Sequence, residues 1–284
     1  MTPIIKRVSL RFPWKQLSPW LRWGHRLALA GGSDKINPPW PDLIIASGRK
    51  SIGIALDIKR QSGGKTIIVQ VQDPRINPSH FDLVIVPKHD RMRGDNVIVT
   101  SGSLHRVTPD KIAKEQKKSE AAFLSLTQPR VAVLIGGNSK SHQMTADDAR
   151  RLAMQLKSLD ASLMVTVSRR TDAENARVLR EALIGPNVFF WDGQGDNPYF
   201  AMLGFADYIV VTEDSVSMAS EAISTGKPVY IAKLSGGSDK FTRFHAHLQG
   251  RGYTRPFEGK LERWVYDPPD DMTRAVAEIR KLLG

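Results

Sequence analysis

The stretch Tyr208-Ile-Val-Val-Thr-Glu-Asp-Ser-Val-Ser-Met-Ala-Ser-Glu-Ala-Ile-Ser-Thr-Gly-Lys-Pro-Val229 decides how this 284-residue chain is read. Tyr208–Thr212 is a short uncharged run rich in β-branched residues, the pattern of a strand buried on both faces. Glu213-Asp214-Ser215 breaks it. Helical spacing then runs to Thr225, and Gly226 is the usual residue just past a helix end. Lys227-Pro228 leads into a second strand, Val229–Ala232. Strand, turn, helix and strand in this order build a parallel sheet covered by helices. Such sheets bind ligands off the carboxyl ends of their strands, so the residues that follow each strand carry the chemistry.

The same grammar extends in both directions. Toward the amino terminus, strands are predicted at 43–46, 66–71, 83–86 and 97–100, with a helix over about 49–60. Thr108 reads as a helix N-cap with Pro109 at the first helical position, opening a helix to about Leu126. Thr127-Gln128-Pro129 reads as a linker. A second series follows, with strands at 131–135, 163–167 and 188–191. Thr145 and Asp148 form an acidic capping box before a helix, another helix runs to about Leu183, and Asn197–Phe205 is a short helix. Asp271–Leu283 is the last helix. The fold class expected is α/β, with two Rossmann-like parallel-sheet domains facing a cleft. Their predicted extents are 1–127 and 128–266, and 267–284 is a helix returning to the first domain.

Composition narrows the classes. The 41 Lys and Arg against 29 Asp and Glu leave a net charge of +12, and 41% hydrophobic with 25% charged residues is ordinary for a globular protein. The absence of cysteine excludes disulfides, thiolate metal sites and a cysteine nucleophile. No uncharged apolar run reaches the roughly 20 residues a bilayer span needs, and no secretory signal opens the chain. A cytoplasmic protein, peripheral to the inner membrane, is the expectation. The first acidic residue is Asp34; before it stand six Lys and Arg together with Trp14, Trp20 and Trp23. Cations among amphipathic rings suit an anionic membrane surface, which makes residues 1–30 the candidate contact. Packing of these Trp on the domain and a mitochondrial presequence are the competing readings; Pro13 and Pro19 argue against a long amphipathic helix. Without a recognition helix or an aromatic sheet motif, nucleic acid is not the expected partner. The seven His show no metal-ligand spacing, so no metal is called for.

Candidate residues sit where strands end. In the second half these are Gly136, Gly137 and Asn138; Ser168, Arg169 and Arg170; Asp192; and Thr212, Asp214, Ser215, Ser217, Met218 and Glu221. The paired glycines allow close backbone approach and positive φ, and the arginines offer forked donors to phosphate. Free N–H groups at the helix opening around Ser215 favour an anion. Glu221 lies on one face with Ser217 and Met218, where it can accept from a ribose hydroxyl. Glu213 and Asp214 are awkward neighbours for a phosphate unless an arginine offsets them or Asp214 is only the helix cap. In the first half, Ser47, Gly48 and Arg49, then Gln72 and Arg75, also sit where strands end. Asp73 and His89 are competing candidates for a general base; each also reads as an ordinary loop residue.

The 208–229 stretch resembles the nucleotide-sugar signature of GT-B glycosyltransferases, with Glu221, Gly226 and Pro228 at the signature positions. In such enzymes the first domain binds the acceptor and supplies any base, so the resemblance implies that Ser47, Gly48, Arg49, Gln72 and Arg75 form an acceptor-side set. Pro41–Arg49, Gln72–Arg75, Phe81–Val84 and Thr212–Met218 extend the likeness. Over nearly its full length the chain is similar to the mitochondrial fission (elongated mitochondria) family, which has uncharacterised bacterial members. That resemblance implies a GT-B-like fold, a first domain that begins after the family's usual first βα unit, and UDP or a related nucleotide-sugar as ligand with no cofactor required. It implies either metal-independent transfer of the sugar to a membrane-associated acceptor or, alternatively, a non-catalytic membrane-peripheral adaptor that recruits a dynamin-related protein; the protein partner itself is unknown. The bacterial label of epimerase finds no nicotinamide-binding glycine motif here.

Overall fold

A computed structural model describes residues 3–21, 24–191 and 193–284. The chain divides into two units, Met1–Thr100 with Met272–Gly284, and Ser101–Asp271.

The first unit opens with two short helices, α1 (Trp14–Leu17) and α2 (His25–Ala28). Around them, Leu10 pairs antiparallel with Leu29. A parallel sheet follows: β1 (Leu43–Ser47), α3 (Arg49–Gln61), β2 (Ile67–Val71), β3 (Leu83–Pro87) and β4 (Val97–Thr100), with strand order β1-β2-β3-β4. β1 is an edge strand, and its Ile45 is exposed. The two faces of α3 go to different cores. Ile52 and Ala55 join Ile68, Phe81, Val84 and Val86 over the sheet, whereas Ile54 and Ile58 pack with Leu10 and Ala28.

The second unit starts with α4 (Pro109–Phe123), β5 (Arg130–Ile135), β6 (His142–Gln143), α5 (Ala146–Lys157), β7 (Ser162–Val167), α6 (Ala173–Ala182) and β8 (Val188–Phe190). It continues through α7 (Tyr199–Phe205), β9 (Tyr208–Thr212), α8 (Val216–Ile223), β10 (Val229–Ala232), β11 (Ser235–Gly236), α9 (Asp239–Gly250) and β12 (Thr254–Pro256); α10 (Asp271–Leu283) closes the chain. Six strands form one sheet in the order β12-β10-β9-β5-β7-β8, every pairing parallel. β6 and β11 make a separate antiparallel ribbon. The sheet carries an apolar cluster on each face. β9 lies between β5 and β10 and is buried along its whole length, as its uncharged sequence requires.

Capping followed the sequence closely. Thr108 accepts from Lys111 N, and Thr145 and Asp148 complete their reciprocal box. Gly226 has φ +71°, the left-handed conformation of a helix stop. Sequence reading did not anticipate α9 or β12. It also placed the linker at Thr127-Gln128-Pro129, but the chain divides at Thr100. The reason is packing: Phe123, fully buried, meets Phe189 edge-on and Phe205 at a tilt within the second unit, and Gly204 of α7 lies so close to α4 that a Cβ would overlap Gln116 and Ile112. Asp271 fastens the end of this unit to its start by accepting from Ser101 N at 2.7 Å.

Truncation of Phe123 should therefore unfold the second unit from α4. Phe123→Ala is expected to cost about 3–5 kcal/mol in urea titrations; a loss below about 1 kcal/mol would place α4 outside this core.

Candidate functional site

The three central strands β9, β5 and β7 end side by side, and one buried carboxylate joins their loops. Asp214 is fully buried. Its Oδ1 accepts from the Thr212 hydroxyl at 2.7 Å. Its Oδ2 accepts from Gly137 N at 2.9 Å and from Arg170 Nη2 at 2.7 Å. Thr212 also accepts from Gly136 N at 2.7 Å, and the Thr171 hydroxyl donates to Gly136 O. Burying a carboxylate is costly unless it is paired and hydrogen-bonded; here the Thr212 hydroxyl and the Arg170 guanidinium meet Asp214, and the amides of Gly136 and Gly137 close on the Thr212–Asp214 pair.

This geometry explains the paired glycines. Neither has positive φ. A Cβ on Gly136 would overlap the Asp214 carboxylate, and one on Gly137 would overlap the backbone of Arg170 and Thr171. The requirement is close approach alone. The amides of Gly136 and Gly137 and the guanidinium of Arg170 are committed to the chain's own anion. Arg170 further donates to Asn138 O at 3.2 Å, and Ser168 Oγ accepts from Arg170 N at 3.1 Å. Asn138 turns its carbonyl oxygen Oδ1 to Met144 N. Arg169 is exposed, and Asp192 lies outside the described residues.

The acidic pair that seemed awkward for a phosphate is thus offset internally. Asp214 has Arg170. Glu213 accepts from Leu234 N at 2.8 Å, and its carbonyl accepts from His245 Nε2 at 2.7 Å. The imidazole of His245 is pushed toward its neutral form by burial, against the pull of that carbonyl. His142, buried, stands 4.0 Å from the Glu213 carboxylate on the other side. Sequence reading set both histidines aside as scattered; only the fold brings them to one residue, His245 to the Glu213 carbonyl and His142 beside its carboxylate.

α8 opens immediately beyond. Ser215, not Asp214, is its cap, accepting from Met218 N at 3.3 Å. Its first turn contains no acid, Ser217 is exposed and Met218 is half-buried. The leading N–H groups of a helix have no partner within it and sit at the positive end of its dipole. The position of α8 is set by Ser220, whose hydroxyl accepts from Ser103 N at 2.9 Å. Farther along, Glu221 Oε2 accepts from the Tyr199 hydroxyl at 2.6 Å, while Oε1 has no hydrogen-bond partner among the described residues. Burial raises the Glu221 pKa, opposed by Tyr199 and by the nearby Arg106; burial likewise raises Tyr199 far above the usual phenol value, reinforced by Glu221. Tyr199 carried no sequence signal. Its helix is held at the far end by Lys227, which donates to Leu203 O and Gly204 O at 2.7 and 2.6 Å.

The first unit also gathers its candidates at strand ends. Gly48, at φ +81°, turns β1 into α3 between Ser47 and Arg49, all three accessible, and Arg49 O accepts from Ser18 Oγ. After β2, Gln72 and Arg75 take positive φ of 74° and 58°. Between them Asp73 Oδ1 accepts from Arg75 N at 2.7 Å, the work of a turn residue. His89 is buried after β3, 3.9 Å from Asp90.

Parallel sheets of four and six strands, with polar loops at their carboxyl ends, define a GT-B-like α/β protein. The chain belongs to the mitochondrial fission ELM1 family, whose model matches residues 1–283. It is 35% identical over 274 residues to mitochondrial fission protein ELM1 of Arabidopsis thaliana, covering 86% of this chain and 64% of that protein, and so spans less than two thirds of the plant relative. An uncharacterised protein of Rickettsia prowazekii is 27% identical, with 85% and 79% of the two chains covered. Among solved structures, UDP-GlcNAc 2-epimerase of Neisseria meningitidis bound to UDP-GlcNAc superposes with a TM-score of 0.51 at 16% identity, over 86% of this chain and 76% of that one. A UDP-N-acetylglucosamine 2-epimerase structure from Listeria monocytogenes gives 0.50 at 10% identity, over 86% and 75%. At these identities the likeness is one of fold.

Two stability outcomes follow. Asp214→Ala strands the Gly137 amide and the Thr212 hydroxyl and should cost about 2–4 kcal/mol. Arg170→Ala removes a half-exposed partner and should cost less, about 1 kcal/mol; urea midpoints that rank the two the other way would contradict the carboxylate-centred arrangement. Acid unfolding has a separate marker in Asp148. Burial opposes its ionisation, yet hydrogen bonds from Thr145 and Ser235, with Arg151 alongside, bring its pKa down from 3.8 to about 2. A depressed carboxylate stabilises the fold above its unfolded pKa, and that contribution disappears as pH falls through the folded value. Between about pH 5 and pH 2 some 2 kcal/mol should be lost, and Asp148→Asn should flatten that limb of the stability curve.

Proposed function

We propose that the second unit binds a nucleotide-sugar, a UDP-linked one first among them, with its phosphates at the opening of α8 and its ribose at Glu221. The observation that carries this reading is the α8 arrangement itself. An acid-free first turn, with Ser215 buried as its cap and Ser217 exposed, precedes, on the same helix, a carboxylate that Tyr199 holds by one oxygen, leaving Oε1 to accept from a sugar hydroxyl. The Gly136-Gly137 loop contributes shape rather than donors, because Asp214 and Thr212 already occupy its amides. The fold shared with UDP-GlcNAc 2-epimerase, a protein crystallised with UDP-GlcNAc, supports the ligand class. The activity we propose on this site is metal-independent transfer of the sugar to an acceptor hydroxyl, with Asp73 and His89 as the alternative bases.

A second reading draws on a different observation. A carboxylate that fills the phosphate loop and uses up Arg170 is what a GT-B scaffold without turnover would retain. This adaptor reading fits the family's name and needs no nucleotide.

Isothermal titration separates the two. The nucleotide reading expects UDP and UDP-sugars to bind. It also expects Glu221→Gln, which removes a charged acceptor, to weaken UDP by about 10- to 100-fold without changing the urea midpoint. No heat with any nucleotide from the folded protein removes that reading and leaves the adaptor.

A further inference from the structure

The segment before β1 has two faces with opposite characters. Inward, Leu10 and Ala28 are buried against Ile54 and Ile58 of α3, with Trp14, Val8 and Leu29 packed beside them. Backbone pairing holds the segment in that pose: Arg11 N donates to Ala28 O at 2.9 Å, Ala30 N donates to Ser9 O at 2.8 Å, and the Arg11 guanidinium donates to Leu27 O.

The outward face is apolar where a soluble protein is normally polar. Ile4, Ile5, Phe12, Leu17, Trp20 and Leu27 are exposed, Phe12 at 75% and Trp20 at 63%. They are six of the fourteen exposed large apolar side chains among the described residues, gathered into a tenth of the chain. Isolated exposed apolar residues need no explanation, but a concentration of them does. Lys6, Arg7, Arg11 and Lys15 are exposed among them, and the first acid, Asp34, is engaged by Arg7 N. A protein partner with an apolar groove would explain the hydrophobic residues but not the unbroken positive charge. An aqueous polyanion would explain the charge but not Phe12 and Trp20. An anionic bilayer offers both, a negative surface at the headgroups and an apolar layer below.

We propose that this face is an anchored interfacial wedge that inserts Phe12, Leu17 and Trp20 into an anionic lipid surface while Lys6, Arg7 and Lys15 meet its headgroups. No helix among the described residues is long and apolar enough to cross a membrane, so the contact is one-sided. The wedge needs no nucleotide.

The test is co-sedimentation of the full chain with phosphatidylcholine vesicles, with and without about one third phosphatidylglycerol. The full chain should pellet with the anionic vesicles and stay in solution with the neutral ones. Reversing Lys6, Arg7 and Lys15 to Glu should weaken binding by at least about 100-fold, since each basic residue near such a surface contributes about fivefold and three such losses multiply to about 100-fold. Replacing Phe12, Leu17 and Trp20 by Ser should abolish pelleting while leaving binding to a heparin column intact. As a check that does not depend on a triple variant folding, brominated lipid should quench the native protein's fluorescence, and Trp20→Phe should remove part of that quenching. The wedge is refuted if the full chain ignores anionic vesicles, if the Ser variant pellets as well as the native chain, or if Trp20→Phe leaves the quenching unchanged.

Discussion

The Asp214 carboxylate is fully buried, and the ends of three strands are arranged to supply its hydrogen-bond partners. Its carboxylate draws the Gly136-Gly137 loop, Thr212 and Arg170 to one point. Because a buried charge is acceptable only when every lone pair finds a donor, none of these loops can shift without exposing a cost elsewhere. β9, β5 and β7 are therefore tied together at their carboxyl ends, and α8 begins from a fixed place.

That lock sets what the site can do. Donors that a sheet of this class leaves for a ligand are consumed at the Gly-Gly loop. In the first turn of α8, among the described residues, only Met218 N is spent, on the Ser215 hydroxyl, and the remote half of the helix carries a carboxylate positioned by Tyr199. In the nucleotide reading proposed above, the phosphate therefore lands on the helix rather than between the loops. Glu213 repeats the theme on the other side, where it is spent on Leu234 N and, through its carbonyl, on His245. Of the two acids that look hostile to a phosphate in the linear chain, Asp214 is paired with Arg170 and Glu213 is hydrogen-bonded by Leu234 N.

The first unit follows a different logic. Its sheet is small and one of its edges is open, and part of its apolar burial comes from the segment ahead of β1, which packs on the outer side of α3. Anchoring that segment inward through Leu10 and Ala28 leaves Phe12, Leu17 and Trp20 outward. The same residues that complete a core thus present an apolar, cationic face.

Most elements were legible because their signals are local. β-branched runs marked β2, β9 and β10, Thr108 and Thr145 marked helix starts, and Gly226 marked a stop. The list of strand-end residues was legible too, since a parallel sheet places its loops by topology. α9 was not read, because its start at Ser238 makes no side-chain cap and its apolar anchors, Phe244 and Leu248, are few. What the linear chain determined by itself was the alternation of strands and helices and the polar character of the loops between them, both set by short-range sterics and periodicity. Only the tertiary structure decided that Asp214 faces inward onto Gly137 and Arg170, that Tyr199 holds Glu221, and that α4 packs with the second unit. Each of those depends on residues from about 20 to about 80 positions apart meeting in a dry interior, where the cost of an unpaired charge or an unfilled space outweighs any local preference.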